Sequence, residues 1–376
     1  MAYSIKMVDL HGQYLKIKGE VDQAMAEVIN SSAFINGKPV ETFSSELASF
    51  LDVKYVVPCA NGTDALQIAY QSLGLKSGDE VLMPSFNYVA SAEAAALIGL
   101  KPVFVDVWED SYNINENLIE ELITSATKAI VVVHLFGQSA NLEPILKIAK
   151  RFDLKVIEDN AQSLGTDYAF SNEKMQKTGT IGDMSIHSFF PTKNLGCFGD
   201  GGAISTNDKD LAARALKISR HGQGQKYAYE MIGCNSRLDT LQAAILSVKL
   251  KYIENYLQCR KEAGKYYDQF LSNIQGIIRP VESPWTHHTY NQYVIRVPER
   301  DKIKESLKVA GIPTMIYYPS PLHLQKGYSY LGYQPGDFPV AEKLCNEVLA
   351  LPMHTELMHE EQQYIINQLI NSINSL

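Results

Sequence analysis

The sequence lacks the features that mark secreted, membrane-spanning and nucleic-acid-binding proteins. Its 376 residues contain five scattered cysteines without a C-x-x-C pair, which argues against a disulfide framework and a zinc site. No uncharged apolar run approaches the roughly 20 residues that a membrane helix needs, and the N-terminus does not resemble a signal peptide. The net charge of −8 disfavours a general nucleic-acid-binding or anionic-membrane surface. We therefore expect a cytoplasmic protein that binds no metal, nucleic acid or membrane.

Helix and strand patterns alternate along the first part of the chain. Between residues 41 and 160, strand-like runs rich in Val, Ile and Leu alternate with helical runs, including a predicted helix over "NLIEELIT" (117–124). This alternation predicts an α/β fold with a mostly parallel sheet. Residues 237–271 then predict one long helix that joins two lobes.

The chain after this helix mixes predicted strands, including "PTMIYY" (313–318), with helices. We therefore predict a large domain over residues 1–254, which includes an N-terminal helical segment. A smaller α+β domain is predicted over residues 255–376.

The first candidate site residues follow a predicted strand. The run "CANGTDAL" places Asn61, Gly62 and Thr63 at the start of a helix. Free backbone N–H groups and the helix dipole make such a position suitable for an anion, and the Thr63 hydroxyl adds a donor. The alternative is a helix N-cap without a ligand.

A second group of candidates lies at the end of a later strand, in "VIEDNAQSLG" (156–165). Ligands of parallel sheets bind at the carboxyl ends of the strands, where Asp159 could hold a ligand nitrogen and Gln162 could hydrogen-bond the same ligand. Side chains alternate along a strand, so Glu158 is expected to point away from the site. The alternative for Asp159 is that it caps a turn.

The third candidate is Lys193 in "SFFPTKNLG" (188–196), between a proline turn and an Asn-Leu-Gly turn. Four apolar residues flank it: Phe189, Phe190, Leu195 and Phe198. Desolvation lowers the pKa of a lysine and leaves more free amine, the form that attacks a carbonyl. A lone lysine in a turn is more often a solvated surface residue.

An anion site, a carboxylate and a desolvated lysine together meet the needs of pyridoxal phosphate. The helix start would hold the phosphate, the carboxylate would pair with the pyridine nitrogen, and the lysine would bond the aldehyde. Tyr88 could stack on the ring, although a core aromatic is the alternative, and Ser188 could donate to the phosphate.

Six runs, in this order, resemble the DegT/DnrJ/EryC1/StrS family of pyridoxal-phosphate-dependent nucleotide-sugar aminotransferases. They are "CANGTDALQIA", "VIEDNAQSLG", "SFFPTKNLGCFGDGGAI", "RHGQ", "NSRLDTLQAAIL" and "YYPSPLHLQ". The resemblance extends over almost the whole chain. It implies the aspartate-aminotransferase-like fold (fold type I) and a homodimer with each active site at the subunit interface.

The resemblance also implies a role for each candidate. Lys193 corresponds to the Schiff-base lysine, which also moves the proton between the amino donor, usually glutamate, and the cofactor. Asp159 corresponds to the pyridinium partner, and Gln162 to a contact of the ring oxygen. The other implied contacts are with the phosphate (Gly62, Thr63, Ser188), with the ring (Tyr88) and, from the partner chain, with the phosphate (Asn235). A lysine at position 193 argues against the family's dehydratase branch.

The resemblance is greatest to the subgroup that aminates C3 of UDP-2-acetamido-2-deoxy-3-oxo-glucuronate for surface polysaccharide, such as lipopolysaccharide O-antigen. A guanidinium suits a sugar carboxylate, so Arg237 is the first candidate substrate contact. His221 is expected to line the substrate entrance with Arg220 and Lys226, although exposed surface is the alternative for those two cations. Tyr317 and Tyr318 are the remaining substrate candidates, and Tyr317 stands where many family members have histidine.

Other functions remain as alternatives. A 3- or 4-aminotransferase could act on a neutral dTDP- or UDP-linked keto-6-deoxysugar, and the chain could be a regulatory protein that binds pyridoxal phosphate. A different fold-type-I activity, such as decarboxylation or desulfuration, is compatible with the same cofactor. A nicotinamide dehydrogenase is disfavoured because no G-x-G-x-x-G follows the first strand.

Overall fold

The structure, a computed structural model, describes residues 4–376. Its α-helices, in chain order, are α1 (Leu10–Ser31), α2 (Lys38–Leu51), α3 (Gly62–Ser72), α4 (Ala90–Leu97), α5 (Leu142–Phe152), α6 (Lys209–Ile218), α7 (Thr240–Leu250), α8 (Ile253–Leu271), α9 (Arg300–Val309), α10 (Pro339–Glu347) and α11 (His359–Asn374). Its strands are β1 (Tyr55–Cys59), β2 (Glu80–Pro84), β3 (Lys101–Val105), β4 (Thr127–Val133), β5 (Lys155–Asp159), β6 (Asp167–Ala169), β7 (Met175–Lys177), β8 (Met184–Ser188), β9 (Gly202–Thr206), β10 (Gln223–Gln225), β11 (Ala228–Tyr229), β12 (Thr286–His287), β13 (Tyr293–Arg296) and β14 (Val348–Leu351).

A seven-stranded sheet forms the centre of the molecule, with strand order β1-β9-β8-β5-β4-β2-β3. Strands β8, β5, β4, β2 and β3 are parallel, whereas β9 is antiparallel to both of its neighbours. The predicted mostly parallel sheet is therefore confirmed. Its parallel strands end at one edge, which places the loops after β4, β5 and β8 side by side.

Helices cover both faces of this sheet, which explains why its strands are apolar throughout. In β4, Val131 and Val133 pack in a cluster with residues of α3, α4 and α6. The alternating residues Ile130 and Val132 pack with α5 on the opposite face. Each such fully buried side chain contributes about 1.5–3 kcal/mol, so both faces stabilise the sheet.

The C-terminal part of the chain has a core of its own around the antiparallel pair β13 and β14. Helices α8, α9 and α11 supply its other large side chains, including Tyr267, Leu307 and Ile365. Ile5, from the opposite end of the chain, packs into the same cluster, and α10 packs with the large sheet instead. The division at residue 254 stays a prediction.

Three predicted elements were wrong. The long helix over residues 237–271 is divided into α7 and α8, because Tyr252 leaves the helical conformation with φ −104° and ψ 3°. The helix over 117–124 is instead two short 3₁₀ turns, Glu116–Leu118 and Glu120–Leu122. The strand over 313–318 does not form, since only Met315 pairs, in an isolated bridge with Ala350. Within residues 4–376, none of the helices combines the length and the apolar character required to cross a bilayer.

Candidate active site

A cavity of about 610 Å³ opens at the carboxyl ends of β4, β5 and β8. Its volume lies within the range of roughly 300–1,000 Å³ that is usual for small-molecule sites. Ten of the predicted site residues line it: Asn61, Gly62, Thr63, Tyr88, Asp159, Gln162, Ser188, Lys193, Tyr317 and Tyr318. The fold therefore brings together residues that are as much as 257 positions apart (318 − 61).

The start of α3 forms one wall of this cavity. Asn61 caps the helix, since its Oδ1 accepts a hydrogen bond from the N–H of Asp64 at 2.8 Å. The absence of a side chain at Gly62 lets Ser188 approach, because a Cβ at position 62 would lie 2.9 Å from the Ser188 Cβ. The helix start and the Thr63 and Ser188 hydroxyls thus border one space, which is an arrangement that binds a phosphate.

Asp159 ends β5 and is buried beneath the cavity that it lines. Its carboxylate accepts hydrogen bonds from Ser91 Oγ at 2.8 Å and from the N–H of Ala161 at 3.2 Å. Burial raises the pKa of Asp159, while these two hydrogen bonds and the charge of Lys193 oppose that rise. A cationic group bound in the cavity would favour the charged carboxylate, as a protonated pyridine nitrogen does.

Sequence reasoning missed two residues that support Asp159. Asn87 Nδ2 donates to Ser91 Oγ at 3.1 Å, and Ser91 in turn donates to Asp159. In "SFNYVAS", Asn87 lies in the loop after β2 and Ser91 in the first turn of α4, four positions apart. This spacing of one helical turn could have indicated that the two side chains meet. The alanine-rich run that follows, however, predicts only a buried helix.

Glu158, the neighbour of Asp159, points to the opposite side of β5, as predicted. It is fully buried and accepts five hydrogen bonds, from His134 Nε2, Ser185 Oγ and the N–H groups of Gly179, Ile181 and Gly182. Burial alone would raise the pKa of Glu158, but His134 and these N–H groups outweigh it and hold the pKa below its ordinary value. We refer to Glu158 and its five donors as the rear network.

His134 directly follows β4 and belongs to the rear network. Its Nε2 contacts Glu158 Oε2 at 2.9 Å, and its Nδ1 accepts a hydrogen bond from the N–H of Ala140 at 3.2 Å. Both ring nitrogens are therefore engaged away from the cavity, so the contacts of this histidine are structural.

Lys193 lies in the tight loop that joins β8 to β9. The Lys193 N–H donates to the carbonyl of Phe190 at 2.9 Å, and the loop is closed by a 2.8 Å hydrogen bond from Phe189 N–H to Gly201 O. Phe189 and Leu195 are buried, as the apolar flanks predicted, but Phe190 and Phe198 are about half exposed. Phe190 borders the cavity, and the Phe198 ring packs edge-on against Tyr14 with 5.7 Å between ring centroids.

The Lys193 amine is well suited to nucleophilic chemistry. Burial lowers its pKa to about 8, while the negative charge of Asp159 acts in the opposite direction. Within residues 4–376, no carboxylate lies within ion-pair distance of this amine. A substantial fraction of Lys193 is therefore neutral near pH 8, and that form attacks carbonyls and accepts protons.

Gln162 and two tyrosines complete the opposite wall. Gln162 Oε1 accepts from the N–H of Phe136 at 2.8 Å, and its Nε2 donates to Tyr318 OH at 3.1 Å, so the amide is held in one orientation. Tyr88 is 57% exposed, with its ring centroid 6.2 Å from that of Tyr318. Tyr88 is therefore not a core aromatic, and its ring is free to cover a flat ligand.

Three predicted residues, His221, Asn235 and Arg237, lie outside the lining of this cavity. They belong to the segment around the hairpin of β10 and β11, in which His221 and Asn235 are exposed. The segment still lies next to the anion site, because Ser236 Oγ accepts from the N–H of Ala60 at 3.1 Å. Asn235 was expected to act on the partner chain, so its contact with cofactor stays a prediction, as do the substrate contacts of the other two.

The residues present fit pyridoxal phosphate. The start of α3 with Ser188 provides a phosphate site, Asp159 a buried carboxylate with room for a cationic partner, and Lys193 an unpaired amine of lowered pKa. Tyr88 and Gln162 line the same cavity, where they would contact the cofactor ring.

Comparisons with known proteins give the same result. The DegT/DnrJ/EryC1/StrS aminotransferase family model matches residues 15–370. A pleiotropic regulatory protein of Geobacillus stearothermophilus is 43% identical over 97% of this chain and 98% of its own. The UDP-2-acetamido-2-deoxy-3-oxo-D-glucuronate aminotransferase of Pseudomonas aeruginosa is 42% identical over 94% of this chain and 96% of its own.

The solved structures extend the likeness to the fold. The crystal structure of S. venezuelae DesV superposes with a TM-score of 0.94, at 35% identity, over 98% of each chain. A mostly parallel sheet with helices on both faces, shared with such structures, is the fold-type-I architecture that was predicted. The chain therefore belongs to the DegT/DnrJ/EryC1/StrS aminotransferase family and is a sugar aminotransferase that uses pyridoxal phosphate.

Proposed function

We propose that this enzyme aminates C3 of UDP-2-acetamido-2-deoxy-3-oxo-glucuronate, with glutamate as the amino donor. The product would serve surface polysaccharide such as lipopolysaccharide O-antigen. The 42% identical relative that is named for this substrate supports the proposal. The observation that carries the chemistry is the convergence of the anion site, Asp159 and Lys193 on one cavity.

The residues of the cavity divide the work of transamination. Bound pyridoxal phosphate acts as an electron sink for the bond that is broken at Cα of the donor. Thr63 and Ser188 would hold the phosphate, and the charged Asp159 would keep the pyridine nitrogen protonated. The neutral Lys193 Nζ would take the proton from Cα of the donor as general base and, as general acid, would deliver it to the cofactor. Tyr88 would cover the ring and exclude water from the reacting atoms.

Four residues are proposed to choose the sugar. Tyr317 and Tyr318 line the cavity, and the Tyr318 hydroxyl accepts a hydrogen bond from Gln162. His221 and Arg237 would approach from the segment next to Ala60, where the Arg237 guanidinium can form two parallel hydrogen bonds with the uronate carboxylate. The phenol of Tyr317 can hydrogen-bond a sugar hydroxyl but cannot act as a titrating base near neutral pH.

A homodimer would complete this site. The same segment exposes three large apolar side chains, with Tyr227 at 77%, Tyr229 at 63% and Ile232 at 88% of their surfaces. Clustered exposed apolar residues mark protein–protein contacts. We propose that this surface meets a second copy, so that Asn235 reaches the phosphate of the partner. The five free thiols suit a reducing cytoplasm.

The alternatives differ in substrate or in activity. Other relatives are named for dTDP-linked 3-amino sugars, which keeps a neutral keto-6-deoxysugar as the second candidate substrate. The relative named a regulatory protein keeps regulation as a candidate function. The lowered pKa of the Lys193 amine serves attachment of the cofactor in either case, so turnover of a sugar is what separates catalysis from regulation.

The test of the proposed substrate is an assay with glutamate and a panel of 3-keto and 4-keto sugars linked to UDP or dTDP. We expect turnover with the 3-keto uronate. Arg237→Met should lower kcat/KM for that sugar by about 10- to 100-fold, since a hydrogen bond to a charged group contributes about 1.5–3 kcal/mol. A neutral sugar should be affected much less.

The matched control is Arg214→Met on the exposed side of α6, which should retain wild-type activity. Turnover confined to a neutral 4-keto sugar would overturn the uronate assignment. No turnover with any sugar, from protein that binds cofactor, would favour the regulatory alternative.

A further inference from the structure

A second lysine is buried near the Lys193 loop and has no role in the chemistry described above. Lys249, on α7, is 2% exposed, and within residues 4–376 no carboxylate lies within ion-pair distance of it. Its Nζ donates to the carbonyl of Gly196 at 2.6 Å and lies 5.7 Å from the ring centroid of Phe198. Burial of an amine without a carboxylate is costly, so these contacts must offset a substantial desolvation penalty.

The same helix holds the loop at an adjacent point through Gln242. Its Oε1 accepts from the N–H of Phe198 at 2.8 Å, and its Nε2 donates to the carbonyl of Phe198 at 3.0 Å. Gln242 and Lys249 are seven residues apart, two turns of helix, and therefore lie on one face of α7. Three hydrogen bonds thus connect one helical face to residues 196–198 of the loop.

The loop is compact enough to transmit this restraint to Lys193. A Cβ at Gly196 would lie 2.3 Å from the carbonyl oxygen of Pro191, so the two sides of the turn that carries Lys193 are in contact. Cys197 N–H donates to Phe189 O at 2.8 Å, which closes the turn. Movement of residues 196–198 would therefore shift the backbone on both sides of Lys193.

We propose that Gln242 and Lys249 form a clamp that fixes the Lys193 loop, and that both are positioning residues for the catalytic amine. The proposal rests on the proposed role of Lys193 in catalysis. The clamp explains why the buried amine of Lys249, which is costly to desolvate, lies against the Lys193 loop rather than elsewhere on α7. The Lys249 amine donates to Gly196 whether or not it carries a charge, so the clamp does not require one protonation state.

The test compares Lys249→Met and Gln242→Met with the wild-type full-length chain. Methionine keeps the unbranched side chain but removes the hydrogen bonds. Hydrogen–deuterium exchange of the cofactor-free protein should show severalfold faster uptake in peptides from 189–201, without change in the other strands. The Tm of Lys249→Met should be unchanged or higher, because a buried amine is removed.

The holoenzyme gives the second measurement. The rate constant for the half-reaction with glutamate should fall by about 10- to 100-fold in either variant, as expected for a misplaced reacting group, with the KM for glutamate unchanged. Lys249→Arg, which keeps a donor, should restore part of that rate. The control is Lys251→Met two residues further on, an exposed lysine paired with Glu20 at 3.0 Å, which should behave as wild type.

If Lys249→Met and Gln242→Met showed the same hydrogen–deuterium exchange in residues 189–201 as the control Lys251→Met, the clamp proposal would be wrong. A fall in Tm with general loss of protection would also overturn it, since that would show a purely structural role for the buried residues. The exchange experiment needs neither sugar nor cofactor, so its result stands apart from the outcome of the sugar panel. If the wild-type chain were inactive with every sugar, the proposed function would be wrong. The exchange data would still show whether Gln242 and Lys249 restrain the loop.

Discussion

Asp159 and Glu158 are adjacent in sequence, yet they belong to two regions with opposite electrostatics. Asp159 faces the cavity, accepts two hydrogen bonds from neutral donors, and has a raised pKa. Glu158 faces the rear network, accepts five hydrogen bonds, and has a lowered pKa. The alternation of a β-strand is enough to separate the two environments.

This difference between Asp159 and Glu158 shows how a ligand-binding site can be distinguished from a structural network that contains the same residue types. The rear network is electrostatically complete, because its carboxylate already has all the donors that it can use. The cavity is incomplete, because among residues 4–376 Asp159 has no cation and Lys193 no carboxylate within ion-pair distance. A buried carboxylate and a buried amine without ion-pair partners can bind a ligand that supplies a cationic group to one and a carbonyl to the other. Three substitutions test the comparison.

The largest effect is expected for Lys193→Ala, on the cavity side. Removal of the general base alone should lower turnover by about 10²- to 10⁴-fold, and loss of the covalent attachment adds to this. The visible absorbance band of the covalently attached cofactor should also be lost. The matched control is Lys76→Ala, at the amino edge of the sheet before β2, which should keep both the band and the activity.

Lys193→Ala should also change how the stability of the cofactor-free protein depends on pH. The pKa of Lys193 is lowered to about 8 in the fold, so between pH 8 and its ordinary value of 10.5 the unfolded chain binds more protons. The cofactor-free wild type should therefore gain stability as pH rises through this window, and Lys193→Ala should lose that gain. A band or turnover that survives the substitution would show that another group carries the chemistry.

A smaller loss is expected for Asp159→Asn, which keeps an acceptor for Ser91 but removes the charge. Loss of one partner from a buried ion pair costs about 3–5 kcal/mol, so kcat/KM should fall by at least about 10²-fold. The cofactor-free protein should be at least as stable as wild type, since burial disfavours the charged carboxylate. Steady-state kinetics and urea unfolding measure the two quantities. Strong destabilisation with normal catalysis would place Asp159 among the structural residues instead.

Much of the site could be predicted from the sequence because its residues stand where the chain changes direction. Gly62 and Lys193 follow strands at turns that contain glycine or proline, and Asp159 ends an apolar strand before a polar run; such boundaries are visible in a single sequence. The resemblance of the family runs then implied a role for each residue, and those roles stay predictions. The mostly parallel sheet followed from apolar runs buried on both faces.

The remainder depends on contacts that no local pattern shows. Ser91 reaches Asp159 across 68 positions, and Lys249 reaches Gly196 across 53, yet on their helices both resemble ordinary residues. The wrong elements have the same cause. Residues 237–271 have one continuous helical period, yet α7 and the start of α8 pack in one cluster while the rest of α8 packs in the C-terminal core, and the sequence does not show where the helix breaks between them.

The smallest catalytic effect is expected for Glu158→Gln, in the rear network. One oxygen becomes an NH₂ group that faces former donors, so two or three of the five hydrogen bonds are lost from a buried site. The unfolding free energy should fall by about 3 kcal/mol, measured by urea unfolding of the cofactor-free chain, while kcat stays within about threefold of wild type.

The pH dependence of the unfolding free energy tests whether the lost stability of Glu158→Gln comes from the charged carboxylate. Because the pKa of Glu158 is lowered in the fold, its contribution is fully present above the unfolded-state pKa near 4.5 and disappears as pH falls below it. The stability difference between wild type and Glu158→Gln should therefore narrow in acid. The control Glu254→Gln, exposed on α8, should show neither the loss nor the narrowing. If Glu158→Gln instead lowered kcat as far as Asp159→Asn does, with unchanged stability, the two carboxylates would share one role and the division between cavity and rear network would fail.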